Sequence, residues 1–242
     1  MPMSIETIPF ERLAIAAIPV AALVLLLFYW SLSWKNALYA LSRMLVQLLL
    51  IGYALSFLFL SDSSLLVLGV LMVMLVASAW ISLRTVPTER GRLFGQALLS
   101  IGLMGGLTLA LVTQGVLQLD PWYDPQRMIP IAGMIFSNAL NAVSLAAERM
   151  GAERERGCGA RKARGIALNA SLIPMTNALF AVGLVALPGM MTGQILSGVS
   201  PLIAVRYQIM VMLMTYAAAG LSAAFFLYRV WPARASDAED RP

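Results

Sequence analysis

The stretch Leu65–Leu83, LLVLGVLMVMLVASAWISL, holds no charged residue, and its length matches the roughly 20 apolar residues that a helix needs to cross a bilayer. Six further stretches of similar length and composition lie on either side of it: Ala14–Ser33, Leu41–Leu60, Phe94–Leu117, Met128–Ala147, Ile166–Leu187 and Val205–Val230. The breaks between them carry turn chemistry, as in Asp62-Ser-Ser, Pro87-Thr-Glu-Arg-Gly91, Asp120-Pro121 with Asp124-Pro125, and Ser200-Pro201. Pro130 and Pro201 fall near helix starts, where a missing N–H costs little. The expected fold is an all-α, polytopic transmembrane helical bundle of about seven spans. Residues 1–230 form the transmembrane domain, and residues 231–242 a charged, disordered tail.

Composition supports this reading. Of 242 residues, 60% are hydrophobic and only 12% charged, and a water-soluble domain carries roughly twice that charged share. Lipid must therefore act as solvent for much of the surface. There is no histidine, and Cys158 is the one cysteine, which excludes an internal disulfide and a cysteine-based metal cage. Most nucleophile–base and metal-dependent chemistries lose their usual residues, so an enzyme is not expected, no cofactor is called for, and no metal-ligand set is legible. The N-terminal segment lacks a basic start and carries Glu6 and Glu11, so the first span is read as retained and not as a signal peptide.

Orientation follows from the 17 basic residues, which give a net charge of +5. With the N-terminus outside, 14 of them fall in cytoplasmic segments, and only Arg12, Arg127 and Arg206 remain opposite. The positive-inside rule then places the C-terminus in the cytoplasm, and nucleic acid is not the natural partner of such a basic surface. No carboxylate lies at mid-span, which counts against a proton-coupled carrier. No Gly-x-x-x-x-Gly-Lys-Ser/Thr sequence occurs, so any ATP-driven motor must be another polypeptide.

Several residues stand out against this apolar background. In the fifth span Ser137, Asn141, Ser144 and Glu148 recur at i, i+4, i+7 and i+11, with Asn138 beside them, and so share one helix face. Such a face lines a pathway or makes helix–helix hydrogen bonds. Arg43 and Gln47 share a face of the second span, where Arg43 snorkels to the interface or else faces a partner or substrate. Leu187-Pro188-Gly189-Met190-Met191-Thr192-Gly193 breaks the sixth span, as a hinge, gate or re-entrant turn or as an ordinary helix end. Gly102-x-x-x-Gly106 and Gly189-x-x-x-Gly193 would permit close helix approach. Methionine is abundant, with 15 residues, among them Met134, Met175, Met190 and Met210 in or near the last three spans. Thioether sulfur suits Cu(I), but flexible packing is the commoner role and is the reading taken. Residues 149–164 form the longest basic stretch and read as a cytoplasmic loop able to dock an acidic partner or an anionic lipid surface.

Particular blocks resemble a known family. Met128-Ile-Pro-Ile-Ala-Gly-Met134 with Asn138, Val182-Gly-Leu-Val-Ala-Leu-Pro-Gly-Met-Met-Thr-Gly193, Ser200-Pro201, Arg206-Tyr-Gln-Ile-Met210 and Arg43-x-x-x-Gln47 with Gly52-Tyr53 resemble, in the same order, the FetB-type permease family. That family includes the bacterial iron-export ABC permease and relatives of the plant aluminium-tolerance permease subunit. The resemblance implies a permease subunit of an ABC transporter in a bacterial plasma (inner) membrane, driven by a separate ATPase, paired as a homodimer, and engaged in efflux of iron or another metal. Together with the polar face and the Pro-Gly break, this places the expected substrate pathway at Met134, Ser137, Asn138, Asn141, Ser144 and Asn177, and the expected gate or hinge at Pro188, Gly189 and Gly193. Gly159, Ala160, Arg161 and Lys162 stand for the segment that couples to the ATPase. The sequence departs from the family at Asn177, where an acidic residue is usual, and near Phe180, where a basic one is. The alternative is an ATPase-independent scaffold, or a degenerate permease that regulates or assembles others.

Overall fold

The computed structural model describes residues 9–59 and 63–231. The expected tail, apart from Trp231, lies outside them, as do the first eight residues. The chain divides into two compact units, the first running to residue 61 and the second from residue 62. The first holds α1 (Phe10–Tyr29) and α2 (Trp34–Leu58). They are joined by a turn in which Ser31 takes a positive φ of 55°, while the Phe28 and Trp34 rings meet edge to face at 5.6 Å.

The second unit is built from α3 (Ser64–Ser82), α4 (Arg90–Val116), α5 (Pro125–Glu155), α6 (Ala160–Ala181), α7 (Gly189–Leu196) and α8 (Pro201–Val230). α5 and α8 are its axis, and half of each span is buried inside the protein. Local chemistry fixes the ends of α5. Pro125 opens it in the first turn, and the Asp124 side chain accepts a hydrogen bond from the Gln126 amide at 3.2 Å. Gly157, at φ +77°, follows its C-terminus, a backbone setting open to glycine and costly for other residues.

Among the described residues, six helices are long and apolar enough to cross a membrane: α1 to α5 and α8. The expected sixth span, α6, is not among them, because Arg161, Lys162, Arg164, Asn169 and Asn177 dilute its apolar content. It nevertheless returns the chain across the second unit. The C-terminal parts of α5 and α8 line one common groove and their N-terminal parts another, so the two helices run parallel. The connection between them must traverse the bundle, and α6 is the 22-residue element that does so.

Close approach around this axis comes from alanine. Ala142 and Ala146 of α5, Ala163 and Ala167 of α6, and Ala219 and Ala223 of α8 form one buried cluster with Met150 and Leu227. Each helix contributes a small-x-x-x-small pair, the spacing that lets backbones pack closely in lipid. Of the two glycine pairs expected in this role, Gly102 does sit in close approach to α3, where an added Cβ would lie 3.2 Å from Leu75, whereas added Cβ atoms at Gly106, Gly189 and Gly193 would meet nothing within 4 Å.

α4 carries two π-helical stretches, Ile101–Gly105 and Leu111–Val116, which shift the register of its faces. The result is that Gly105, not Gly106, is pressed against α5, and a Cβ there would lie 3.2 Å from the Phe136 ring and 3.3 Å from Ile135. Gly105→Val is therefore expected to destabilise the protein by about 1–3 kcal/mol through overpacking. Gly106→Val should be close to neutral. Thermal unfolding of the two variants in detergent checks the difference.

Candidate functional site

The residues expected to line a pathway are divided by the structure between two environments. Ser137, Asn141 and Glu148 are exposed, on the side of α5 turned away from its buried residues Ile135, Ala139, Ala142 and Ala146. Ser144 is half-buried, and both its carbonyl and its hydroxyl are in reach of Thr85 Oγ1, at 3.3 and 3.4 Å. That contact ties the α3–α4 turn to α5 and is a packing interaction. Ser137 Oγ and Asn138 Nδ2 each donate to the Met134 carbonyl, at 3.2 and 2.8 Å. Asn177 is exposed on α6, as is Phe180.

Pro188 does not interrupt a helix. α6 has already ended at Ala181, and Gly183, at φ +81°, turns the chain so that its amide donates to the Ala186 carbonyl at 3.0 Å. Pro188 then caps α7, which begins at Gly189 and contains the exposed Gly193. The Leu-Pro-Gly block thus starts a short helix, and the break belongs to Gly183, five residues earlier.

Residues 149–164 are not a long loop either. α5 continues to Glu155 and α6 starts at Ala160, leaving the four residues Arg156–Gly159 between them. The helix persists because Glu153 is spaced to pair along it. Arg149 Nη2 lies 2.7 Å and Arg156 Nη1 3.0 Å from Glu153 Oε1, at i−4 and i+3. Cys158 closes the turn by donating its thiol to Glu153 Oε2 at 3.3 Å. That hydrogen bond, and secondarily burial, raises the thiol pKa above its ordinary value, which keeps Cys158 in its unreactive protonated form. Glu153 is the hub that the sequence reading passed over, although its helical spacing to Arg149 was visible. Gly159 precedes the first turn of α6, where Ala160 is half-buried, Arg161 and Lys162 are exposed and Ala163 is buried.

This end of the second unit is the basic one. Arg154 pairs with Glu89 at 3.6 Å and stacks over the Trp231 ring at 3.9 Å. Arg90 lies 3.8 Å over the Trp80 ring and donates to the Trp80 carbonyl at 2.7 Å, while Arg229 donates to Gln96 at 3.1 Å. A groove of about 380 Å³ opens here, bordered by Glu89, Met150, Arg154, Phe226 and Trp231. At the opposite end a second cavity, of about 560 Å³, lies between α5, α7 and α8 and is bordered by Met134, Met190 and Met210. No group of three or more Cys, Asp or Glu side chains that could hold a metal occurs among the described residues.

Residues 10–160 and 151–233 match the profile of an uncharacterised protein family, UPF0014. The UPF0014 membrane protein slr1647 of Synechocystis sp. is 37% identical over 190 residues, covering 72% of this chain and 73% of its own. The Probable iron export permease protein FetB of Escherichia coli is 32% identical over 247 residues, covering 94% of this chain and 93% of its own. Protein ALUMINUM SENSITIVE 3 of Arabidopsis thaliana is 31% identical, covering 88% and 85%. No solved structure matches the chain.

Proposed function

The chain belongs to the UPF0014 family of membrane proteins, and on that premise we propose that it is the membrane-spanning permease subunit of an ATP-driven transporter, exporting a metal ion with a separate ATPase. It is an integral membrane protein, and its near full-length similarity to a bacterial permease named for iron export supports a place in a bacterial inner membrane.

The observation that carries the reading is the pairing of two features on one long helix. α5 has 31 residues, about 46 Å at 1.5 Å per residue. Its exposed Ser137 and Asn141 lie at membrane depth, where a polar group without a partner in lipid is costly. The Ser137 hydroxyl already donates to the Met134 carbonyl, so it is the Asn141 amide that a second copy of the chain or a hydrated path would satisfy. Its other end is clamped through Glu153 to the short turn into α6, so a push on the start of α6 is carried along α5. Arg84, Arg90, Arg92, Arg149, Arg154, Arg156, Arg161, Lys162, Arg164 and Arg229 gather at that end, while Arg127 and Arg206 lie at the other. This distribution supports a cytoplasmic basic end, where an ATPase would dock.

The ATPase does the chemistry of hydrolysis, and the permease responds only as far as its two states bind that partner differently. Affinity purification of the tagged chain from its native membranes should retain an ATP-binding subunit and an ATPase activity that rises with substrate. Isolation of the chain with no nucleotide-hydrolysing partner would favour the scaffold reading instead.

A further inference from the structure

Three methionines from three separate elements border the cavity at the end opposite the basic cluster. Met134 comes from the first half of α5, Met190 from the first turn of α7, and Met210 from α8. Methionine in a core ordinarily fills gaps against other side chains. Here the three border a common cavity of about 560 Å³. Gln194 of α7 lines the same space, and its side-chain carbonyl oxygen is buried with no hydrogen-bond partner among the described residues. A buried acceptor of this kind awaits a donor or a cation.

We propose that this cavity is a binding site for a soft monovalent cation of the Cu(I) and Ag(I) class, held by the sulfurs of Met134, Met190 and Met210 with the Gln194 carbonyl as a weaker oxygen donor. The donor set decides the class of ion. Thioether sulfur is neutral and polarisable and selects soft cations, whereas hard cations need carboxylate, carbonyl or water oxygen. Among the described residues no Asp or Glu borders the cavity, so a hard divalent or trivalent ion would enter without an anionic ligand to offset its dehydration. Among the described residues that border it, Arg127 is the one cation; its guanidinium is largely exposed and is held by Asp124 at 3.5 Å. A single positive charge on the bound ion keeps repulsion from that group small.

That such an ion is the transported cargo rests on the permease reading; that it binds does not. The test uses the full chain in nanodiscs, carrying Cys158→Ser because a free thiol binds Ag(I) by itself, and titrated calorimetrically with Ag(I), a probe that needs no reductant. The expected result is one Ag(I) per chain. Replacing the three residues together, as M134L/M190L/M210L, conserves volume and should weaken binding by more than the roughly 10–100-fold that loss of an outer-shell partner costs a metal site. The control M72L/M150L/M212L, which removes methionines of the same unit that do not border the cavity, should bind as the wild type does. Mn(II) should not compete.

Absence of Ag(I) binding by the wild type, or equal affinity in the two triple variants, overturns the proposal. Equal affinity of the wild type for Mn(II) overturns its softness. If wild-type proteoliposomes containing the ATPase move no Ag(I) although the cavity binds it, the transport reading fails and the site stands.

Discussion

Replacing Asn141 with Leu is expected to abolish transport while leaving the protein inserted and packed. The side chain is exposed on α5, so leucine displaces no neighbour and the alanine-rich contacts with α6 and α8 are untouched. What is lost is an amide that can both donate and accept on the face where Ser137 also stands. Flux into proteoliposomes containing the partner ATPase measures the effect. A variant that no longer assembles would mean that Asn141 serves helix–helix hydrogen bonding, where each bond contributes about 0.6 kcal/mol on average. Normal assembly with unchanged flux would remove the face from the mechanism. Ser144 makes the useful contrast: it meets Thr85, and Ser144→Ala should lower stability slightly with transport retained.

Reversing two charges at the start of α6, as R161E/K162E, is expected to break the link between ATP hydrolysis and transport. Both side chains are exposed and precede the buried Ala163, so the substitution spares the core that a wholesale replacement of Gly159–Ala163 would strip. Single exposed ion pairs contribute little, about 0–1 kcal/mol, and are weakened by salt. Reversal does more than remove them, since like charges set against each other at an interface cost several kcal/mol, and roughly tenfold or greater loss of ATPase association follows. Substrate-stimulated ATPase activity of the reconstituted complex is the measurement. Full stimulation in the double variant would show that the motor docks elsewhere, most directly on the Arg84–Arg92 turn, which borders the same basic end.

Much of the architecture was legible in the chain itself. In lipid every backbone amide must be satisfied within its own segment, so a run such as Leu65–Leu83 specifies a helix by composition and length alone, and α3 spans Ser64–Ser82. The blocks Met128–Met134 and Val182–Gly193 likewise carry the family resemblance in the sequence itself. Helical spacing put Ser137, Asn141 and Ser144 on one face, but periodicity cannot say what lies opposite a face. Only tertiary packing separated the exposed Asn141 from Ser144, which meets the α3–α4 turn.

The misread segments share a cause. Charge and proline ordinarily mark a loop or a break, yet Glu153 neutralises its two arginine neighbours along α5 and keeps residues 149–155 helical. Pro188 was credited with a turn that Gly183 makes. α6 lacks the hydropathy of a span because, packed against α5 and α8 through Ala163 and Ala167, it does not rely on lipid alone for burial. Composition therefore determined which segments meet the membrane. The π-helical register shift at Gly105, the alanine seam, and the placement of Met134, Met190 and Met210 around one cavity depend on contacts between residues far apart in the chain, and only the folded bundle decides them.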